Sequence, residues 1–156
     1  PWEALPKIGA FLLELGASLG EEEYEKHGEN VWIAKSAKVA PTASITGPCI
    51  IGKNAEIRHC AFIRGNAPEG KGAVVGNSPE LNTVILFHRG KVPHYNYVGD
   101  FILGFKAHMG AGSITSNVKS DKFRVMVHAE DGDLVTGMKK FEDMVGDRGD
   151  AGCGTI

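Results

Sequence analysis

Residues Val31–Leu86, VWIAKSAKVAPTASITGPCIIGKNAEIRHCAFIRGNAPEGKGAVVGNSPELNTVIL, repeat with a period of six. Every sixth position reads Ile33, Val39, Ile45, Ile51, Ile57, Ile63, Glu69, Val75 and Leu81. The position four further on reads Ala37, Ala43, Cys49, Ala55, Ala61, Ala67, Ala73, Pro79 and Ile85. Neither a helical period of 3.6 nor simple strand alternation places one large aliphatic and one small residue in each group of six. Each unit is therefore a short strand and a turn, which makes an all-β solenoid, a parallel β-helix of hexapeptide repeats. Its narrow triangular interior stacks the aliphatics and leaves only small side chains at the corners. Gly52, Gly65, Gly76, Gly104 and Gly110 suit corners that need positive φ or close backbone approach. Two positions break the rule. A buried unpaired carboxylate in the aliphatic slot of Glu69 is costly, so Gly65–Gly70 reads as a local bulge or exposed corner, and Pro79 stands in a small-residue slot.

The 156-residue chain fits one domain. Its 17 basic and 19 acidic residues leave no basic stripe for nucleic acid, and no stretch reaches the roughly 18 apolar residues of a membrane span. Cys49, Cys60 and Cys153 are odd in number and scattered, which reads as reduced packing residues in a soluble, cytoplasmic protein. The start, Pro1-Trp2-Glu3, reads as a trimmed chain and not as a signal peptide.

Upstream of the repeat, Ile8, Phe11, Leu12 and Leu15 share one helical face from near Pro6, with Gly16 or Gly20 as the stop. Residues 1–30 are expected to form a helical cap over the open end of the first coil, and residues 31–156 the β-helix. The repeat fails over 87–97 and again over 117–142, which predicts two inserted loops. The second holds a hairpin in which Arg124–His128 and Leu134–Gly137 flank the turn-rich Glu130–Asp133. The repeat resumes at Val145–Gly149 and Ala151–Thr155, so a further coil, or something covering the end, is expected there.

The first interruption returns through Val92-Pro-His-Tyr-Asn-Tyr-Val-Gly-Asp100, followed by Met109-Gly-Ala-Gly-Ser-Ile-Thr-Ser-Asn117. Together these segments resemble the acetyltransferase domain of bifunctional N-acetylglucosamine-1-phosphate uridyltransferase / glucosamine-1-phosphate acetyltransferases, which carry His-x-x-Tyr-x-Gly-Asp and Gly-Ala-Gly-x-Ile-Thr-x-Asn. The resemblance covers roughly Ile33 to Lys122. It implies a left-handed helix, although ordinary crossovers are right-handed. It also implies a homotrimer with a site between adjacent solenoids, acetyl-CoA as co-substrate and an amino sugar, glucosamine-1-phosphate-like, as acceptor. By position it makes His94 the general base, Arg64, Tyr97, Asn117 and Lys122 substrate-binding residues, and Ala111 and Ser113 the contacts to acetyl-CoA. No metal is expected. The chemistry agrees in kind: transfer to an amine needs a base that titrates near neutrality, donors for the thioester oxyanion, which the Gly-Ala-Gly corner offers, and a cation for a phosphate.

The chain departs from that pattern at Asn82, where the family has a lysine, and at Val118, where it has a tyrosine. These 156 residues do not resemble that family's nucleotidyl domain, so this chain alone is not expected to make a nucleotide sugar. Two alternatives follow: an inactive hexapeptide scaffold subunit, and a γ-class carbonic anhydrase, whose zinc needs three converging histidines where this chain offers His88-x5-His94 and isolated residues.

Overall fold

The computed structural model describes residues 1–116, 118–141 and 143–156. It is a left-handed parallel β-helix with one α-helix on its N-terminal side. Register follows the repeat. Val31 lies beside Cys49 and Cys49 beside Ala67, eighteen residues apart, with Ile45 beside Ile63 and Ile57 beside Val75 on the other faces.

Three faces result. Face A carries Val31–Ala34, Cys49–Ile51, Ala67–Glu69 and the C-terminal halves of Glu80–Leu86 and Tyr97–Leu103. Face B carries Lys38–Val39, Glu56–Ile57, Val74–Asn77, Lys91–His94, His108–Met109 and Asp150–Ala151. Face C carries Ser44–Ile45, Phe62–Ile63 and the N-terminal halves of the same two seven-residue strands. Inside, Ile51, Ile57, Ile63, Val75 and Leu81 stack fully buried, with Cys49, Ala55, Ala61, Ala67 and Ala73 in the corners. Each buried aliphatic contributes about 1.5–3 kcal/mol, so the ladder of one per face and coil supplies most of the core.

The predicted loop 87–97 is not a loop. Lys91–His94 is a regular strand on face B, pairing with Val74–Asn77, and Val92 and Val98 are fully buried. The repeat only changed phase. Leu81 pairs with Ile63 eighteen residues back, whereas Leu86 pairs with Glu69 and Val98 with Leu81, seventeen apart. One residue is lost near Thr83, where Glu80–Leu86 runs through the corner between faces C and A as one strand, and another in Tyr97–Leu103, which turns the same corner one coil later. After it the aliphatic slots fall at Leu86, Val92, Val98, Leu103 and Met109, all buried. A reading at fixed period six loses them.

The excursion after Ser116 is real. Ile102 pairs with Met144 and His108 with Asp150, forty-two residues on, and the inserted segment holds an antiparallel hairpin of Met126–Ala129 and Gly132–Val135. It packs Phe141, Val125 and Met138 against the N-terminal helix cluster, with Trp2 edge-on to Phe141 at 5.8 Å.

The N-terminal segment is a 3-10 turn, Trp2–Lys7, continued by helix α1, Ile8–Ser18. The helix does not cover the open end of the first coil. It lies along the outside of face A, burying Leu5, Ile8 and Leu12 against Trp32 and Ile50, while Phe11 and Leu15 stay exposed. Strand Tyr24–Lys26, antiparallel to Val31–Ala34, covers the first edge of that sheet instead.

Glu69 also departs from expectation. It is no bulge but the last residue of a face A strand between Ile51 and Leu86, it is buried, and neither carboxylate oxygen has a partner among the described residues. Burial pushes its carboxyl up from 4.5 to about 8, so the core holds it neutral at neutral pH. The corner glycines serve close approach more than positive φ: a Cβ on Gly76 would stand 1.7 Å from the Pro93 carbonyl oxygen. Left-handed φ falls largely on other types, including Asn54, Cys60, Ser78, Thr83 and Tyr95.

Candidate functional site

His94 ends its face B strand, and the chain turns the B/C corner at Tyr95 and Asn96 before Tyr97 opens the next strand. Tyr95 takes φ of +52°, a left-handed conformation that lets the backbone reverse within two residues. The His94 and Tyr95 side chains are both exposed, their rings 6.5 Å apart. The residue that fixes this corner is Asn96, which the sequence reading did not single out. It is buried; its Oδ1 accepts from the His94 N–H at 3.0 Å, and its Nδ2 donates to the carbonyls of Gly110 at 2.7 Å and Ser113 at 3.2 Å. Three hydrogen bonds in an apolar corner leave the His94 backbone one position. The signal was present: after the one-residue phase change, Asn96 falls in the small corner slot of Ala61, Pro79 and Ser113, where a polar residue demands an explanation.

Around the corner, face C presents an outward row across successive coils. Phe62 lies beside Glu80, and Glu80 beside Tyr97, which bridges to Ile114. Arg64 follows two residues after Phe62 on the same outer side, is exposed, and donates from Nη1 to Glu80 at 2.8 Å. Strand spacing puts the Arg64 and Tyr97 strands about 10 Å apart, with the strand of Glu80 and Asn82 between them. Tyr97 and Arg64 thus share face C two coils apart, with Glu80 and Asn82 on the strand between them, and His94 lies at the B/C corner three residues before Tyr97.

The other predicted residues fare differently. Ala111 occupies the same corner one coil on from His94, where the Gly112 N–H donates to the His94 carbonyl at 2.9 Å. The Gly110 and Ser113 N–H groups donate to Ala151 and Gly110 carbonyls. Of that Gly-Ala-Gly-Ser corner only the Ala111 N–H lacks a partner among the described residues. Ser113 is buried, its hydroxyl bonded to the carbonyls of Gly110 and, at 3.3 Å, Gly152. Its side chain is a corner filler facing the core, so it is not open to a co-substrate. Lys122 is exposed on the excursion, with its N–H to the Lys119 carbonyl, and no contact joins it to His94. Asn117 lies outside the described residues. Among those residues no group of three His, Cys, Asp or Glu side chains could hold a metal ion. His108, 3.6 Å from Asp150, sits at the start of its face B strand, away from the His94 corner.

No family model matches the chain. It is similar to Bifunctional protein GlmU of Methanococcus maripaludis, 33% identical over 140 residues, which take in 78% of this chain and 34% of that protein. It is also similar to Bifunctional protein GlmU of a Picosynechococcus species, 28% identical over 113 residues, 72% of this chain and 21% of that protein. The chain thus spans about a third or less of the length of these curated relatives. Among solved structures, the acetyltransferase domain of PglB from Neisseria gonorrhoeae FA1090 aligns over 95% of this chain and 56% of that one, at 17% identity and a TM-score of 0.44.

Proposed function

From the resemblance of this solenoid to Bifunctional protein GlmU, we propose that the chain is a hexapeptide-repeat acyltransferase that moves the acetyl group of acetyl-CoA to the amine of an amino sugar, most simply a sugar 1-phosphate. The observation that carries the proposal is the corner at His94: an exposed imidazole on a backbone pinned by Asn96, with Tyr97 opening face C beside it, Arg64 two coils back on that face, and one coil on the Ala111 N–H, which has no partner among the described residues.

The transfer is direct. His94 takes a proton from the sugar ammonium, the free amine attacks the thioester carbonyl carbon, and the C–S bond breaks. CoA leaves as a thiolate and picks up a proton, while the Ala111 N–H donates to the oxyanion formed on the way. Tyr97 and Arg64 hold the acceptor. Arg64 is held by Glu80, but both side chains are partly exposed, at 46% and 36%. A surface pair of this kind is worth only about 0.2–1 kcal/mol, so a phosphate that accepts two hydrogen bonds from the guanidinium can displace it. Asn117, Lys122 and a neighbouring solenoid complete the acceptor site in this reading, with the active unit a homotrimer.

Thiol release from acetyl-CoA over a panel of amino sugars tests the proposal. Turnover that falls about 10²-fold or more in His94→Ala supports it. Unchanged turnover removes His94 as base, and failure to bind CoA by calorimetry makes the chain a scaffold subunit.

A further inference from the structure

The apolar face of α1 is only half used. Ile8 and Leu12 are buried, but Phe11 is 55% exposed and Leu15 36%. Both border a groove of about 760 Å³ between the helix and the outer side of face A, lined also by Ile50, Pro68, Ile85 and Phe87, the last 48% exposed. That volume lies in the 300–1,000 Å³ range of small-molecule sites, and an apolar lining with a few polar groups at the mouth is their usual composition. The polar lining consists of Lys7, Lys53, Lys71, His88, Tyr24 and Glu69, whose carboxyl turns into the solenoid interior, so the three lysines supply the charge at the mouth in a chain whose net charge is −2. Lys53 is neutralised by Glu23 at 2.5 Å, whereas Lys7 and Lys71 form no ion pair among the described residues. The wall is apolar and the rim carries unpaired positive charge. The groove is on face A, away from the His94 corner between faces B and C.

We propose that this groove binds a fatty-acid carboxylate, its hydrocarbon chain along Phe11, Leu15, Ile50 and Ile85 and its headgroup against Lys71 and Lys7. The chain supplies the apolar surface that the exposed half of α1 lacks, and the anion meets the rim. A neutral apolar occupant would leave the two lysines unanswered, and a cationic one would be repelled.

Calorimetric titration of the whole chain with octanoate, dodecanoate and dodecyltrimethylammonium, all below micelle formation, tests this. Burial of each added methylene tightens binding about three- to fourfold, so dodecanoate is expected to bind one per chain and at least 30-fold tighter than octanoate. The ammonium amphiphile of equal length is expected to bind at least 10-fold weaker. Phe11 and Lys71 are exposed, and Phe11→Asp should abolish binding while Lys71→Glu weakens it at least fivefold, both with an unchanged circular dichroism spectrum. Binding indifferent to headgroup charge, binding unaltered in Phe11→Asp, or no binding of dodecanoate overturns the proposal. So does a change of oligomeric state in Phe11→Asp, which would make a second copy of the chain the occupant. None of these readouts depends on acetyl transfer.

Discussion

Replacing Glu69 should stabilise the protein by an amount that depends on pH in a defined way. The carboxyl sits in an aliphatic slot between Ile51 and Leu86 with no partner for either oxygen among the described residues, and its folded-state value is pushed from 4.5 to about 8 by burial. Below pH 4.5 it is protonated in both states and costs nothing by ionisation. Between 4.5 and 8 the unfolded chain loses the proton and the folded chain keeps it, so stability falls by about 1.4 kcal/mol per pH unit and levels off above 8. The accumulated cost is about 3 kcal/mol at pH 7 and about 5 kcal/mol on the plateau. Glu69→Gln keeps the shape and removes the titration; Glu69→Leu also restores the ladder. Urea denaturation of wild type and both variants at pH 5, 6, 7 and 8 measures the difference. The gap between wild type and Glu69→Gln should widen with pH by about 1 kcal/mol or more per unit, with Glu69→Leu the most stable throughout. A gap that stays constant from pH 5 to pH 8 would refute the buried neutral carboxyl.

Three further outcomes follow from the coil geometry. Gly76→Ala puts a methyl 1.7 Å from the Pro93 carbonyl oxygen; since the obstacle is backbone, the coils must separate, and thermal denaturation should show a loss of about 3 kcal/mol or more. Asn96→Ala removes the partner of the His94 N–H and of the Ser113 carbonyl, while the Gly110 carbonyl still accepts from Ser113, at about 1–3 kcal/mol for each unsatisfied group. It should lower turnover as well as stability, while wild-type turnover would show that the corner needs no such pin. The Cys49 thiol is pushed well up, first by burial and then by Glu69, and it donates to the Ala67 carbonyl at 3.2 Å. An aromatic disulfide reagent should therefore titrate two thiols at once, the exposed Cys60 and Cys153, and the third only on unfolding.

The fold was legible because a solenoid interior imposes its own period: large residues at Ile51, Ile57 and Ile63 and small ones at Ala55, Ala61 and Ala67 have nowhere else to go. The hairpin after Ser116 was legible for a local reason, turn residues between two strand-forming runs. What failed was anything that depends on counting. A single missing residue near Thr83 turned regular coil into an apparent loop and hid the buried slot of Asn96. Helix periodicity could not tell which of Ile8, Phe11, Leu12 and Leu15 would find a partner surface, because that depends on the width of face A. Glu69 was misplaced because the cost of a buried charge was applied to a group that avoids it by staying protonated. The Gly-Ala-Gly corner offered several donors on paper, but among the described residues coil-to-coil hydrogen bonds use those of Gly110 and Gly112 and leave that of Ala111.

The short coil at Thr83 also changes what the molecule can exchange. The short step recurs one coil later, between Val98 and Leu103, so coils of eighteen residues are followed by coils of seventeen. Because each seventeen-residue coil carries its own short step at the corner between faces C and A, Leu86, Val92, Val98 and Leu103 all stay buried behind an eighteen-residue coil, whereas one residue added or removed within a strand would turn the rest of its inner row outward. The solenoid is thus two series of whole coils that differ by one residue at one corner. The corner of His94 and Asn96 lies entirely in the second, so libraries of recombined coils can vary the first half of the helix while that corner stays intact.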